Sequence, residues 1–426
     1  MRLRPLAAAC STALCASLAL AVTTALAQPI QQKVTPPIAV YWVSAETQGG
    51  MAGLPGGRAA GALGSLFGAG PGLQGGRTML LQLGSAQGAS GEPRAAHEIP
   101  AGMNMGPSLP LLTPRQAPRE QREFGEDAPE NFERPKGRML IYWGCGDAPR
   151  AGQPIVLDFA KIAAGQIPKF PTVRVSVPRA PSFSRNKTYG DWPNTETRTQ
   201  VPANASLLGD HMVKGNYSPD IRFTVADRTD FMQAPAFQPV RRAPGGGMTV
   251  QWQAIPNATG YFMSAMGQSR ANQDLIIWTS SEIADMGWAL STWLPPSEVA
   301  RLIKDRVVMA PATTECTVPP DVVKQAETPM VTFTGYGDEL NVVHPPRPTD
   351  PKVTWEQSYA VKVRQRTGAM LMLSEGQGGS SLGRSPADEG SAGGESSQTQ
   401  RPPATPTLQD AIKEGVGGVL RGLFGR

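Results

Sequence analysis

Hydrophobic and polar positions alternate over many short stretches of this chain, which is typical of strands with one buried and one wet face. In YAVKVRQR from residue 359 and TVRVSVP from residue 172, valines alternate with polar residues. Other short stretches rich in β-branched and aromatic residues begin at positions 38, 78, 138, 154, 220, 248, 274 and 330. Gly and Pro residues separate them and indicate turns. The pattern predicts a mainly β protein of two or three sandwich-like units.

The predicted strands fall into consecutive units. Residues 28–165 form a first β unit that contains a glycine-rich insert at 48–76. Residues 166–242 form a second β unit with dense turn residues, and residues 243–373 hold a third unit followed by terminal strands. The pattern leaves open whether residues 28–242 are one domain or two.

The C-terminal region has a different composition. Residues 374–406 offer almost no apolar side chains to bury, so we expect a flexible linker. Residues 407–426 predict a short amphipathic helix, although four glycines make it a weak helix alone. Its apolar stripe consists of Leu408, Ile412, Val416, Val419, Leu420, Leu423 and Phe424. We expect the stripe to dock on a partner protein, on a second copy or on its own β units, with membrane contact at most peripheral.

One stretch resembles a known family. In VQWQAIPNATGYFMSA, residues 250–265, Trp252 lies on an alternating strand, a turn follows, and Tyr261 begins the next strand. This arrangement is similar to the B and C strands of a fibronectin type III domain, and the resemblance covers residues 246–318. It implies a sandwich in which Trp252 and Tyr261 are core residues. PPSEVARLIKD from residue 295 departs from the family, because its apolar residues have helical spacing.

The first residues predict export. Arg2 and Arg4 precede an alanine- and leucine-rich run that ends in the small-residue site before Gln28. This is the pattern of a secretory signal peptide over residues 1–27. We therefore expect a periplasmic, outer-surface or extracellular protein, and in style the whole chain resembles exported proteins of proteobacteria.

Charge narrows the classes of partner. Without Arg2 and Arg4, 38 basic residues face 35 acidic ones, a net charge of +3. The basic residues are scattered instead of forming the stripes that nucleic-acid binding needs, so we expect no nucleic-acid partner. The mature chain also lacks a run of 18 consecutive apolar residues that could cross a bilayer as a helix.

Two cysteines remain after the predicted cleavage, Cys145 and Cys316. An exported chain with a small, even number of cysteines predicts one disulfide between them. The alternative is a pair of free thiols. A disulfide would place the first unit beside the fibronectin-like unit.

Motifs of catalysis are scarce. The three histidines lack metal-ligand spacing, and no phosphate-binding, dinucleotide-binding or nucleophile-elbow motif occurs, so we expect no metal site, no cofactor and core or solvated histidines. A glycosidase needs two carboxylates, for which Asp191, Asp227 and Asp230 are available. Trp192, next to Asp191, is a candidate for stacking on a sugar ring.

These observations favour an exported, non-enzymatic β-sandwich protein with a binding or structural role. A polysaccharide is a candidate ligand, with Asp191 and Trp192 as candidate contacts. The alternative is a polysaccharide-directed hydrolase that uses paired carboxylates.

Overall fold

The structure is a computed structural model, and it describes residues 31–52, 75–114, 137–164, 173–194, 199–269, 274–327 and 329–374 together with positions 166, 197, 271 and 272. The predicted signal peptide, most of the glycine-rich insert, nearly all of the predicted linker and the predicted C-terminal helix lie outside these residues. In the described part, no helix is long and apolar enough to span a membrane.

The protein is mainly β, as predicted. The first nine strands are β1 (Val34–Thr35), β2 (Ala39–Ala52), β3 (Gly76–Ser85), β4 (Ala95–Glu98), β5 (Ser108–Leu111), β6 (Arg138–Trp143), β7 (Ile155–Asp158), β8 (Thr188–Trp192) and β9 (Gly209–Gly215). The others are β10 (Ile221–Val225), β11 (Arg241–Arg242), β12 (Met248–Gln251), β13 (Gly260–Gln268), β14 (Leu275–Thr279), β15 (Glu315–Val318), β16 (Met330–His344), β17 (Trp355–Glu356) and β18 (Tyr359–Met372). The helices are α1 (Phe159–Ala163), α2 (Pro296–Lys304) and α3 (Pro320–Gln325), with 3-10 turns at Ala101–Met103, Asp227–Thr229 and Trp288–Ser291.

A nine-stranded mixed sheet organises the described residues. Its order is β7-β6-β14-β13-β16-β18-β2-β3-β8, with parallel pairs at β6–β14 and β2–β18. These strands come from all three units that the sequence predicts, so the units share one sheet instead of each having its own. Local alternation reveals where strands are, whereas pairing between distant strands leaves no mark in a single sequence.

Two small sheets cover one face of the large sheet. The three-stranded sheet β11-β12-β15 and the four-stranded sheet β10-β9-β4-β5 each enclose a separate hydrophobic core against it. In the first core, the rings of Trp252 and Tyr261 meet edge to face at 5.6 Å, and both residues are buried. The prediction that they are core residues is confirmed. In β18, Val361 and Val363 belong to the second core, while Leu371 belongs to the first.

The opposite face of the large sheet is covered only in part by helices. Helix α1 packs on β6, β7 and β14, and α2 packs on β13 and β16. The predicted helical spacing near residue 295 is confirmed in α2, where Val299 and Leu302 are buried. Strands β18, β2, β3 and β8 have no helix on this side among the described residues.

The prediction of a strand in TVRVSVP is wrong. Residues 173–180 have no regular secondary structure and form no ladder. Two backbone N–H groups donate instead to carboxylates, from Val173 to Asp285 at 3.0 Å and from Ser176 to Glu298 at 2.9 Å. Prolines at 178 and 181 follow at once, and because proline has no N–H to donate, it disfavours a paired strand.

A disulfide joins Cys145 and Cys316, as predicted. Their Cα atoms lie 5.1 Å apart although 171 positions separate them along the chain. Cys316 lies on β15, and Cys145 follows β6. The bond therefore ties the three-stranded sheet to the large sheet beneath it.

Candidate functional site

The two candidate ligand contacts on β8, Asp191 and Trp192, point to opposite faces of the large sheet. Consecutive strand residues alternate in direction. Trp192 pairs with Leu81 and is 1% exposed in the second core, so its ring offers no surface for a sugar. Asp191 points to the other face, where burial raises its pKa against the opposing hydrogen bond from Tyr189. The structure does not bring the two residues to one ligand.

Asp191 leads to a row of polar side chains across the sheet. Asp191 pairs with Gln82, Gln82 with Trp42, and Trp42 with Lys362, from β8 through β3 and β2 to β18. Three strand spacings make this row about 14 Å long. We name the surface to which the row belongs the polar face; its members are Trp42, Ser44, Glu46, Gln82, Asp191, Lys362, Arg364 and Arg366.

Arg364 lies at the centre of the polar face between two tryptophans. Its guanidinium carbon is 4.6 Å from the ring centroid of Trp42 and 4.7 Å from that of Trp293. Trp293 follows the 3-10 turn before α2, and Arg366 Nη1 fixes this turn by donating to the Ser291 carbonyl at 2.9 Å. Cation–π contacts of this kind favour a charged guanidinium. Arg364 is 9% exposed, and burial lowers its pKa to about 10, so it is cationic at neutral pH.

Two of the three cations on the polar face are ion-paired. Arg366 Nη2 lies 2.8 Å from a carboxylate oxygen of Glu46, and Lys362 forms an ion pair with Glu339. Arg364 donates through Nε to Ser44 Oγ at 2.7 Å. Among the described residues its Nη1 and Nη2 have no hydrogen-bond partner, yet neither atom is sealed from solvent. Arg364 forms no ion pair, although the charge of Glu339, its partner across β16 and β18, raises its pKa against the effect of burial.

A segment without regular secondary structure crosses the polar face. We name residues 173–186 the strap. At one end Val173 and Val175 pack beside α2, and at the other the Pro181 carbonyl accepts a hydrogen bond from Gln82 on β3 at 3.1 Å. The five steps from Ser176 to Pro181 can span about 17 Å, enough to pass over β18 and β2. The strap and Trp293 therefore lie against the polar face.

A second polar cluster is buried in the second core. The hydroxyl of Tyr41 lies 2.9 Å from His97 Nδ1, His97 Nε2 lies 2.9 Å from His211 Nδ1, and His211 Nε2 lies 2.7 Å from the Leu207 carbonyl. A carbonyl only accepts, so His211 Nε2 carries its proton, His97 Nε2 donates to His211, and Tyr41 donates to His97.

Both histidines of this cluster are neutral. Burial, with the neighbouring histidine as a second cause, lowers the pKa of His97 well below its usual range. Burial also lowers the pKa of His211 against the hydrogen bond to Leu207. Each ring already has both nitrogens engaged and is closed off from solvent, so the cluster orders the core and is not placed to act on a ligand.

The other candidate carboxylates have structural surroundings. Asp230 accepts hydrogen bonds from Ser206 Oγ and from the Leu207 N–H, both at 2.7 Å, and so fixes the chain before β9. Asp227 begins the 3-10 turn after β10. Within the described ranges, no group of three or more His, Cys, Asp or Glu residues could hold a metal ion.

Comparisons with protein-family models, with curated proteins and with solved structures find no match for this chain. The inference of a function therefore depends on the geometry of the polar face. Sequence reasoning recognised the wet face of β18 but not this site. The one signal was the basic residue at every second position, Lys362, Arg364 and Arg366, because Trp42 and Trp293 are far away in sequence.

Proposed function

We propose that this chain is an exported, non-enzymatic β protein that binds a polysaccharide at the polar face. The observation that carries the proposal is the buried Arg364, held between Trp42 and Trp293, with two nitrogen atoms that bind no described residue and are not sealed from solvent. A buried charge that forms no ion pair costs stability. We attribute the retention of this charge on the polar face to ligand binding.

The side chains of the polar face favour a saccharide as the ligand. The backbone of β2, β3 and β18 is occupied by ladder hydrogen bonds on both sides, so a ligand on this face must be held by side chains. Those side chains are an amide at Gln82, a carboxylate at Asp191 and cations on β18, beside a partly buried indole at Trp293. Hydroxyl groups on a sugar can use such donors and acceptors, and its C–H face can stack on an indole.

The surroundings of the acidic residues support binding over cleavage. Glu46 and Glu339 are each held by a cation of the same face. Asp191 stands about 14 Å from the Lys362 end of its row. A glycosidase needs two carboxylates that flank one bond at about 5 to 9.5 Å. Among the described residues of the polar face, no such pair of carboxylates is free of ion-pair partners.

The disulfide supports export, because disulfides persist in oxidising compartments such as the bacterial periplasm. The test is fractionation of cells that express the whole chain. We expect it in the periplasm or on the outer surface, shortened by the 27 residues of the predicted signal peptide. A full-length chain in the cytosol would contradict export.

Binding is tested with the mature protein and a panel of immobilised polysaccharides. Trp293→Ala should weaken the binding of any retained polymer by about fivefold to a hundredfold, the range expected for one lost aromatic contact of 1 to 3 kcal/mol. Trp288→Ala is the matched control, since Trp288 is 41% exposed and has no contact with Arg364. If no polymer is retained, or if both variants bind as the wild type does, the polar face is not the binding site.

A further inference from the structure

We infer that the ligand of the polar face is an acidic polysaccharide and that Arg364 binds one of its carboxylates through Nη1 and Nη2. This inference rests on the proposed function and adds the chemical class of the ligand. It begins from a single fact: Arg364 is more than nine-tenths buried, and the hydrogen-bonding edge of its guanidinium is not used by any described residue except through Nε.

The geometry of Arg364 suits a planar anion. Trp42 and Trp293 both contact the guanidinium, and Ser44 Oγ fixes Nε, so the orientation of the group is set before a ligand arrives. An arginine fixed in this way presents two parallel N–H donors, which match the two oxygens of a carboxylate. A preorganised donor pair also loses less side-chain entropy on binding than a mobile surface arginine.

The charges around Arg364 favour a ligand group that carries one negative charge. Close to Arg364, the cations Arg366 and Lys362 are ion-paired with Glu46 and Glu339, which leaves one positive charge without an ion pair. Asp191, the third carboxylate of the polar face, lies three strands away from β18. A carboxylate brings one negative charge and balances it. A phosphate monoester brings about −1.5 to −2 at neutral pH and would leave an excess beside two carboxylates. The polar face therefore fits a uronate-type carboxylate better than a phosphate.

The test uses calorimetric titration of the mature protein with polygalacturonate, alginate and hyaluronate, each compared with its carboxyl-reduced form. We expect at least one acidic polymer to bind, and to bind tenfold to a hundredfold more tightly than its reduced form. This range corresponds to a charge-assisted hydrogen bond of about 1.5 to 3 kcal/mol. Dextran sulfate, a polymer with sulfate groups in place of carboxylates, is titrated in parallel.

Two variants test whether Arg364 causes the preference for the acidic polymer. Arg364→Lys keeps the charge but not the planar donor pair, and Arg364→Met removes both; each should lose most of the preference for the acidic polymer. Arg347→Met is the matched control, because Arg347 also lies over a tryptophan, Trp355, at 5.7 Å, outside the polar face. Thermal unfolding confirms that each variant is folded, and Arg364→Lys gives the answer if Arg364→Met does not fold.

The outcomes separate the inference from the proposed function. Equal binding of acidic and reduced polymers overturns the inference and leaves saccharide binding intact. Tighter binding of dextran sulfate than of every uronate polymer also overturns the carboxylate assignment. Absence of binding to all polymers overturns the proposed function itself. Retention of the acid preference in Arg364→Lys and Arg364→Met excludes Arg364 as the anion-binding residue.

Discussion

The buried pair His97 and His211 makes the fold sensitive to mild acid. Both rings are neutral in the native state, and burial is the main cause that lowers both pKa values. In the unfolded chain each ring regains a pKa of about 6.5. A folded-state pKa below the unfolded value means that the stability contribution is complete above pH 6.5 and is lost as the pH falls through that value.

The size of the effect follows from this difference. A histidine that stays neutral when folded and titrates at about 6.5 when unfolded loses about 1.4 kcal/mol of stability between pH 7.5 and 5.5. His97, with the larger shift, should contribute nearly all of that amount, and His211 up to the same. We expect the pair to lower the free energy of unfolding by about 2 to 3 kcal/mol over these two pH units.

The assay is urea unfolding, followed by tryptophan fluorescence, at pH 7.5, 6.5 and 5.5. The perturbation is the double substitution His97→Gln and His211→Gln, because an amide can still donate to Leu207 and accept from Tyr41 but does not titrate. The double variant should lose about 2 to 3 kcal/mol less than the wild type between pH 7.5 and 5.5.

His344→Gln is the control for this experiment. The ring of His344 is exposed and stacks on Tyr359 at 5.0 Å, so this histidine lies outside the buried pair. This variant should follow the wild type at all three pH values. If the double variant and the wild type lose the same stability in acid, the buried histidines are not its source and the reasoning is refuted.

Two further predictions concern the first core. Replacing Cys145 and Cys316 with serine should lower the free energy of unfolding by up to about 5 kcal/mol, because the disulfide closes a loop of 171 positions. Equal stability of the oxidised protein and the variant in urea would contradict this prediction. Trp252→Ala should lower the free energy of unfolding by about 3 to 5 kcal/mol. Trp288 is exposed, so Trp288→Ala should change it by less than about 0.5 kcal/mol. Equal unfolding midpoints of the two variants would show that Trp252 is not a core residue.

Local pattern predicts much of this fold. Alternation located most of the long strands, the spacing near residue 295 located α2, and cysteine parity located the disulfide. The strand expected at TVRVSVP fails because carboxylates of Asp285 and Glu298 take two of its backbone donors, and no local signal reveals partners more than 100 positions away.

The candidate site is less visible in the sequence. Asp191 and Trp192 are adjacent in the chain, yet a strand sends them to opposite faces, so proximity in sequence suggested a shared ligand that the structure does not support. Arg364 and Trp42 are over 300 positions apart, and only the parallel pairing of β18 with β2 brings them together. The sequence shows which side of β18 is wet but not what lies across from it.

The most direct measurement follows the guanidinium of Arg364 itself. Side-chain ¹H–¹⁵N spectra of the protein without residues 1–27 are recorded while the uronate polymer that binds most tightly is added, with Arg347 as an internal reference. We predict that the Nη signals of Arg364 shift and saturate with the same dissociation constant as calorimetry gives, while those of Arg347 stay in place. Saturable binding that leaves the Arg364 signals unmoved would show that the ligand lies elsewhere and would contradict the assignment of the polar face.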